Sequence, residues 1–252
     1  MKGYKVRLII PAQLSSDYNP ADRIGIMKHF GADVEALDPR PYRKLLQNLR
    51  NEERAAAYVA LRMKRCHELE KSDPTIWWAN QLCNINNARA HRDTTGKEIL
   101  EQLEGDVDAW VASIGTGGTM LGVADAIGKA FPSTRVVGVV PTDDPRIDWA
   151  RSGAIRGFLE TFDLPKMKLL TERILDKDLP DEVVTVTDVD AREMANRLCK
   201  EEGFFCGISS GANVFAAIKT ARKLSKGTRI VTVLVDRRDR YFSEYPNEHY
   251  IV

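Results

Sequence analysis

The sequence has almost no net charge, few cysteines and no long apolar run, and each shortage excludes a class of protein. Its 37 basic and 36 acidic residues leave a net charge of +1, so no global field favours nucleic acid or an anionic membrane as a partner. No apolar stretch approaches the roughly 20 residues that span a bilayer, and the N-terminus does not resemble a signal peptide, so we expect a cytoplasmic protein. The cysteines are scattered without metal-ligand spacing, which predicts reduced thiols and no metal site at Cys66, Cys83, Cys199 and Cys206.

The composition is otherwise typical of a globular protein with a substantial core. Of the 252 residues, 43% are apolar and 29% are charged. Short apolar and β-branched runs recur along the chain and predict buried strands. These runs are Lys5–Pro11, Ile76–Ala79, Ala109–Ser113, Arg135–Val140, Val183–Val186 and Ile230–Val235.

Helical periodicity occurs in segments between these runs. After Asp188, four apolar residues fall at i, i+3, i+4 and i+7, with Thr187 or Asp188 as the N-cap and Gly203 as the stop. A similar spacing follows Gly211. Strands that alternate with helices imply right-handed crossovers. We therefore predict a doubly wound α/β fold with mostly parallel sheets and flanking helices.

Two further features bear on the organisation of the chain. The highly charged stretch Arg40–Lys71 predicts one helix or two and is interpreted as a solvated surface element. Gly3 lies where a glycine that ends a helix would precede a strand, so we expect the chain to be the later part of a longer protein. We predict the remainder of a smaller α/β domain over residues 1–105 and a larger α/β domain over residues 106–252.

The strongest local signal is the sequence SIGTGGT at residues 113–119, which follows a predicted strand and opens a predicted helix. Glycines let backbone N–H groups converge on a ligand, the helix N-terminus adds positive dipole, and two threonine hydroxyls add donors. The segment therefore predicts a phosphate site, and the alternative is a tight turn without a ligand. It is not the dinucleotide-binding fingerprint, because Met120 stands where that pattern needs glycine, and it lacks the lysine of a P-loop.

A second glycine- and serine-rich turn, residues 207–211, matches GxSxG, the nucleophile elbow of serine hydrolases. Asp236 or Asp239 followed by His249 supplies the other triad residues in the right chain order. One convincing strand follows the elbow and His249 lies close to the C-terminus, which disfavours this hypothesis. The other interpretation is that the two serines cap the following helix.

Three other places carry candidate site residues. Gln81, Asn84, Asn86 and Asn87 belong to an amide-rich turn that either satisfies loop backbone or holds a substrate carboxylate. His91 is expected to be a packed or capping histidine. Arg156 is a lone guanidinium in a stretch of low charge, which is typical of a surface residue unless its loop faces the phosphate-binding turn.

Taken in order, these motifs resemble the cysteine synthase and cystathionine β-synthase family of fold-type-II pyridoxal phosphate enzymes. The matching segments span essentially the whole chain and are Gly3–Pro11, Lys28–Ala32, Gln81–His91, Thr94–Ile99, Gly115–Thr119, Pro141–Asp143 and Gly203–Gly211. The combination in this order is specific, although no single motif is. The resemblance implies a fold like that of the tryptophan synthase β subunit, with pyridoxal 5′-phosphate as the cofactor.

The resemblance also implies roles for individual residues. The cofactor's phosphate would be held by Gly115, Thr116, Gly117, Gly118 and Thr119. Ser209 would lie beside the pyridine nitrogen, where a neutral hydroxyl leaves the ring unprotonated and favours β-elimination and replacement. Gln81 would hold the carboxylate of the substrate. Arg156 resembles an arginine of members that use O-phosphoserine in place of O-acetylserine, because a guanidinium can clamp a phosphate leaving group.

The chain departs from the family in one essential residue. The family's Schiff-base lysine falls before the point that aligns with Met1, and none of the lysines of this chain stands in the corresponding context. No catalytic residue is therefore assigned, and the chain by itself is expected to be inactive. A truncated start is the favoured explanation, and a complementing N-terminal chain and a non-catalytic relative are the alternatives.

The function implied for the full-length form is β-replacement that forms L-cysteine from O-phosphoserine or O-acetylserine and sulfide. The expected partners are a small amino-acid substrate and a second copy in a homodimer, without nucleic acid or membrane. A non-catalytic or split-subunit relative is the alternative, and a serine hydrolase that uses Ser209 is the less favoured one.

Overall fold

The described strands pair in parallel, in two sheets. The structure, a computed structural model, describes residues 3–11, 21–142 and 154–244. Contacts group the chain into two units that each combine segments distant in sequence. The first unit comprises Met1–Trp78, Ala154–Pro165 and Arg237–Val252, and the second comprises Ala79–Gly153 and Lys166–Asp236. The domain boundary expected between residues 105 and 106 stays a prediction.

Strands and helices alternate along much of the described chain. The strands are β1 (Arg7–Pro11), β2 (Asp33–Leu37), β3 (Ala109–Ser113), β4 (Arg135–Pro141), β5 (Glu182–Val186) and β6 (Ile230–Thr232). The α-helices are α1 (Ala21–His29), α2 (Arg43–Gln47), α3 (Asn51–Ser72), α4 (Ile85–His91), α5 (Lys97–Gln102), α6 (Gly118–Ala130), α7 (Ala154–Thr161), α8 (Leu170–Leu175), α9 (Asp188–Glu202) and α10 (Ile208–Ala221). A π-helical turn covers Arg92–Gly96, and 3-10 turns cover Arg40–Tyr42 and Arg238–Glu244. Over the residues described, no helix combines the length and apolar character that a membrane crossing requires.

The second unit is built on a parallel sheet in the order β5, β4, β3, β6. Helices cover both of its faces, so its strands are apolar on both sides. Trp110 and Val136 belong to the core that includes residues of α6 and α8, whereas Val111 and Val137 belong to the core that includes residues of α9 and α10. The predicted doubly wound α/β fold is confirmed.

The helix predicted after Asp188 has the predicted ends. The Thr187 hydroxyl accepts from the N–H of Asp190 at 3.0 Å and caps α9, which ends at Gly203 with a left-handed φ of 74°. The next helix begins earlier than expected, because α10 starts at Ile208 and not after Gly211. The second glycine- and serine-rich turn is therefore the first turn of a helix.

The first unit contains a parallel pair of strands, β1 and β2, and β2 is absent from the predicted strands. Its sequence, DVEAL, does alternate polar and apolar side chains, which is a strand signal. The strand predicted at Ile76–Ala79 is wrong, because this segment pairs with no described strand and Trp77 is 75% exposed. The segment is attached to α3 instead, because the backbone N–H of Trp78 donates to the carboxylate of Glu70 at 2.8 Å.

The interpretation of Arg40–Lys71 as a solvated surface element is also wrong. This stretch forms a 3-10 turn, α2 and most of α3, and one side of α3 is buried. The buried side chains are Ala56, Ala57, Ala60, Leu61 and Met63. The pattern is weak in the sequence because several of the buried residues are alanines among many charges. Arg65 of α3 pairs with Glu35 of β2 at 2.6 Å and lowers the pKa of that carboxyl from its ordinary value.

Helix α4 lies unusually close to α6 because two glycines of α6 face it. A Cβ on Gly118 would lie 2.2 Å from Oδ1 of Asn87, and a Cβ on Gly122 would lie 2.1 Å from the carbonyl oxygen of Ala88. Gly128 of the same helix faces open space. The approach of the two helices therefore requires glycine at positions 118 and 122 but not at 128.

We expect Gly122→Ala to destabilise the protein by about 1–3 kcal/mol, because the added methyl group forces α4 away from α6. Gly128→Ala is the matched control, and it should stabilise the protein by about 0.5–1 kcal/mol, because glycine loses more conformational entropy in a helix than alanine does. Chemical denaturation of both variants measures the difference. Equal stabilities of the two variants would contradict the close packing of α4 on α6.

Candidate functional site

The first glycine-rich turn lies at the carboxyl end of β3, inside the sheet of the second unit. β3 has β4 on one side and β6 on the other, and the chain runs outward from β3 through β4 to β5 before it returns to β6. Ligands of open α/β sheets bind where the strand order reverses in this way, beyond the carboxyl ends of the strands. The predicted phosphate-binding turn therefore occupies the topological switch point of the sheet.

Backbone N–H groups of this turn have no acceptor within the described part of the chain. Ile114 donates to the carbonyl of Val139 at 2.9 Å, but the next three residues, Gly115, Thr116 and Gly117, donate to none. Gly117 is the N-cap of α6 and has a φ of 92°, a left-handed conformation that glycine adopts without strain. Three unpaired donors beside the positive end of a helix fit a phosphate group.

Two side chains of α4 bond to the hydroxyls of the same turn. Asn87 Nδ2 donates to Oγ1 of Thr116 at 3.0 Å, and His91 Nε2 lies 3.1 Å from Oγ1 of Thr119. The second ring nitrogen of His91 lies 3.0 Å from the hydroxyl of Thr95 in the π-helical turn. The contacts of Asn87 and His91 with the turn were not predicted from the sequence. Their spacing of i, i+4 places both on one face of a helix, which is the signal that would have found them.

The imidazole of His91 is partly buried between these two hydroxyls. Burial lowers the pKa of His91 from its ordinary value, because desolvation disfavours the charged ring. The ring is therefore neutral at neutral pH, and one nitrogen donates a hydrogen bond while the other accepts one. His91 is thus a packed histidine, as expected, and it holds the start of α6.

The amides before α4 mostly satisfy the backbone. Asn84 caps α4 by accepting from the N–H of Asn86 at 3.0 Å and donates to the carbonyl of Ala79 at 3.1 Å. Asn87 donates to the carbonyl of Gln81 at 2.8 Å. The side chain of Gln81 is exposed and has no hydrogen-bond partner among the described residues. Of the four predicted amides, Gln81 is therefore the one whose side chain bonds to none of the described residues and is available to a ligand, because Asn86 accepts from Arg89 at 3.3 Å.

The second glycine-rich turn is tied to the segment that follows β6. The N–H of Gly207, the N-cap of α10, donates to the carbonyl of Asp236 at 2.9 Å. The buried hydroxyl of Ser210 accepts from the N–H of Val235 at 2.8 Å, whereas Ser209 is exposed in the first turn of α10. The interpretation of the two serines as caps is wrong, because Gly207 occupies the cap position.

The remaining predicted residues lie in the first unit or outside the described residues. Arg156 lies in α7, a helix of the first unit whose buried side chains include Ile155 and Leu159. His249, which the serine hydrolase hypothesis requires, lies outside the described residues, and so does Asp143 of the family pattern. The second unit thus brings together the glycine-rich turns and Gln81.

The fold and this site define a class, the doubly wound α/β proteins that hold a phosphate-bearing ligand at the carboxyl edge of a parallel sheet. The family described as "Pyridoxal-phosphate dependent enzyme" matches residues 1–236. The chain belongs to this family, and its cofactor is pyridoxal 5′-phosphate.

Relatives and solved structures narrow the class further. A "Probable cysteine synthase" of Bacillus subtilis is 34% identical over 247 residues, which cover 96% of this chain and 70% of the relative. A "Cysteine synthase" of Staphylococcus aureus is 33% identical over 245 residues, which cover 96% of this chain and 69% of the relative. The crystal structure of a hydrogen sulfide-producing enzyme from Fusobacterium nucleatum superimposes with a TM-score of 0.71 at 27% identity, over 95% of this chain and 72% of that one. The resemblance and the fold-type-II class are confirmed, and the serine hydrolase hypothesis is left without support.

We expect the free energy of unfolding to fall as the pH is lowered below 6.5, the ordinary pKa of histidine, because protons then bind the unfolded chain before they bind His91 in the folded chain. His91→Gln should weaken this pH dependence, and His29→Gln, at an exposed position of α1, is the control. Urea denaturation at a series of pH values measures the effect. Full retention of the wild-type pH dependence in His91→Gln would show that the buried imidazole does not cause it.

Proposed function

We propose that this chain provides the cofactor-phosphate and substrate-carboxylate sites of an enzyme that forms L-cysteine from an activated serine and sulfide. The observation that carries the proposal is the row of N–H groups from Gly115 to Gly117, which have no acceptor among the described residues and lie at the switch point of the sheet. Membership of the pyridoxal-phosphate family and the similarity to proteins described as cysteine synthases support it.

The phosphate of the cofactor is held by the turn that opens α6. The backbone N–H groups of Gly115, Thr116 and Gly117 donate to its oxygens, and the hydroxyls of Thr116 and Thr119 and the helix N-terminus add to the positive potential. When bound, pyridoxal phosphate withdraws electrons from the α-carbon of an amino acid and so eases the loss of the α-proton and of a β-substituent. The role of the described residues is to orient the cofactor and the amino acid at the carboxyl edge of the sheet.

Two neutral side chains complete the proposed site. Ser209 is assigned to the pyridine nitrogen, where a hydroxyl leaves the ring uncharged, and its exposure at the start of α10 supports this role. The hydroxyl of Ser210 is already bonded to the backbone of Val235, which makes it the weaker candidate. Gln81 is assigned to the substrate carboxylate, because its amide is exposed and can donate without adding charge.

Arg156 is assigned to the leaving group of the substrate. A guanidinium forms paired hydrogen bonds with the oxygens of a phosphate, whereas an acetyl group offers no comparable pair of charged acceptors. O-phosphoserine is therefore favoured over O-acetylserine as the activated serine.

The Schiff-base lysine is assigned to no position of this chain, so a complementing polypeptide segment or chain that carries it belongs to the proposal. A homodimer is a further part of it and rests on the family resemblance, and so is the cytoplasmic location expected from the sequence. The substrate is a small amino acid, which accords with the family.

Pyridoxal phosphate should bind this chain at one site, at least about tenfold more tightly than pyridoxal, because pyridoxal lacks the group that takes the charge-assisted hydrogen bonds. Inorganic phosphate should compete with it. Equilibrium dialysis measures both effects, and Gly128→Ala, at the far end of α6, should keep the wild-type affinity. Equal affinities for pyridoxal phosphate and pyridoxal would refute the phosphate site.

Arg156→Ala should weaken the binding of O-phosphoserine to the cofactor-loaded chain by about tenfold or more and change the binding of O-acetylserine by less than about twofold. Arg156→Lys keeps the charge without the paired geometry and should give an intermediate loss. Calorimetric titration with both amino acids tests this assignment without requiring turnover. A loss of the same size for both ligands would remove Arg156 from the leaving-group site.

A further inference from the structure

Asn87 connects two parts of the site that are far apart in the sequence. Its Nδ2 donates to the backbone carbonyl of Gln81 at 2.8 Å and to the hydroxyl oxygen of Thr116 at 3.0 Å. The carbonyl of Gln81 can only accept, so the nitrogen of the Asn87 amide, and not its oxygen, must face it. The two hydrogens of that nitrogen are then both used, and Asn87 has no donor left for a ligand.

The hydroxyl of Thr116 is consequently restricted to one role. Its oxygen accepts from Nδ2 of Asn87 at 3.0 Å and from the N–H of Gly118 at 3.2 Å. A hydroxyl has two acceptor lone pairs and one proton to donate. Because both lone pairs are occupied, the proton of Thr116 is left as a donor, and it lies beside the unpaired N–H groups of the turn.

Packing fixes Asn87 in this position. The amide lies against the backbone of α6, where a Cβ on Gly118 would come within 2.2 Å of Oδ1 and 2.9 Å of Nδ2 of Asn87. The absence of a side chain at Gly118 thus makes room for Asn87 at the first residue of the helix. A side chain at position 118 would displace the amide of Asn87 from Thr116.

We propose that Asn87 is a positioning residue that turns the hydroxyl of Thr116 into an obligate donor toward the phosphate of the cofactor. The inference rests on the proposed phosphate site and adds a residue that touches neither cofactor nor substrate. Asn87 also fixes the backbone of Gln81, so the same amide holds the carboxylate-binding residue and the phosphate-binding turn in one arrangement.

The experiment compares two ligands that lack the aldehyde and bind without a covalent bond, pyridoxine 5′-phosphate and pyridoxine. The difference between their affinities for the full chain isolates the contribution of the phosphate. Asn87→Ala should lower the affinity for pyridoxine 5′-phosphate by about fivefold and the affinity for pyridoxine by less than about twofold. Asn86→Ala, a neighbouring exposed asparagine bonded to Arg89, is the matched control and should change neither affinity.

Asn87→Asp gives a second readout that does not depend on the loss of packing. The carboxylate keeps the shape of the asparagine but accepts from the Thr116 hydroxyl, so it takes the proton that the phosphate needs and adds a negative charge nearby. This variant should lower the affinity for pyridoxine 5′-phosphate by more than about tenfold. In a Thr116→Val background, Asn87→Ala should lower the affinity for pyridoxine 5′-phosphate by less than about twofold, because the hydroxyl that Asn87 positions is gone.

The outcomes separate this inference from the proposed function. If the wild-type chain does not prefer pyridoxine 5′-phosphate to pyridoxine, the phosphate site and this inference both fail. If the wild-type preference is present and both Asn87 variants keep it, the inference alone fails. If the Asn87 variants weaken both ligands equally, Asn87 has only a structural role, and the inference is again overturned.

Discussion

The close approach of α4 to α6 is the contact on which the candidate site depends. Gly118 and Gly122 carry no Cβ, so α4 comes near enough for Asn87 and His91 to bond to hydroxyls at the start of α6. The opposite side of α6 contributes fully buried residues to the core, among them Met120 and Ile127. A helix that offers its N-terminus to an anion is thus packed on two sides, and the N–H groups before it that have no acceptor in the described part of the chain are pre-oriented for a ligand.

The strand order of the second unit determines which segments meet at the site. Because β6 returns beside β3, the segment after β6 runs past the carboxyl edge where the phosphate-binding turn lies. The bond from Val235 to Ser210 attaches the first turn of α10 to that segment, so the two glycine-rich turns belong to one edge of one sheet. This bond also distinguishes two adjacent serines. Ser210 accepts from the backbone at this edge, whereas the hydroxyl of Ser209 is exposed.

The sequence predicted the parts of this structure that depend on local pattern, and it failed where the pattern was ambiguous or the contacts were distant. The buried strands of the second unit, the caps of α9 and the turn before α6 all follow from runs, spacings and glycine positions. The apolar run Ile76–Ala79 misled, because a short run predicts a strand only if a partner strand lies beside it. The buried side of α3 was missed, because alanine contributes little to a hydrophobic pattern but packs well. The bonds from Asn87 and His91 to the turn join residues 28 or 29 positions apart, and no local pattern specifies such contacts.

The motif SIGTGGT serves two purposes, close packing and the presentation of N–H groups, and its sequence does not show which residue serves which. Gly118 is required by packing, since any side chain there would collide with Asn87, and this requirement holds whether or not a ligand binds. The N–H groups from Gly115 to Gly117 are different, because nothing in the described chain accepts from them. Unpaired polar groups held in place beside a helix N-terminus carry a desolvation cost unless water or a ligand meets them, so they have no structural use of their own. They are therefore the stronger argument for an anion at this turn, and the glycine content of the motif is the weaker one.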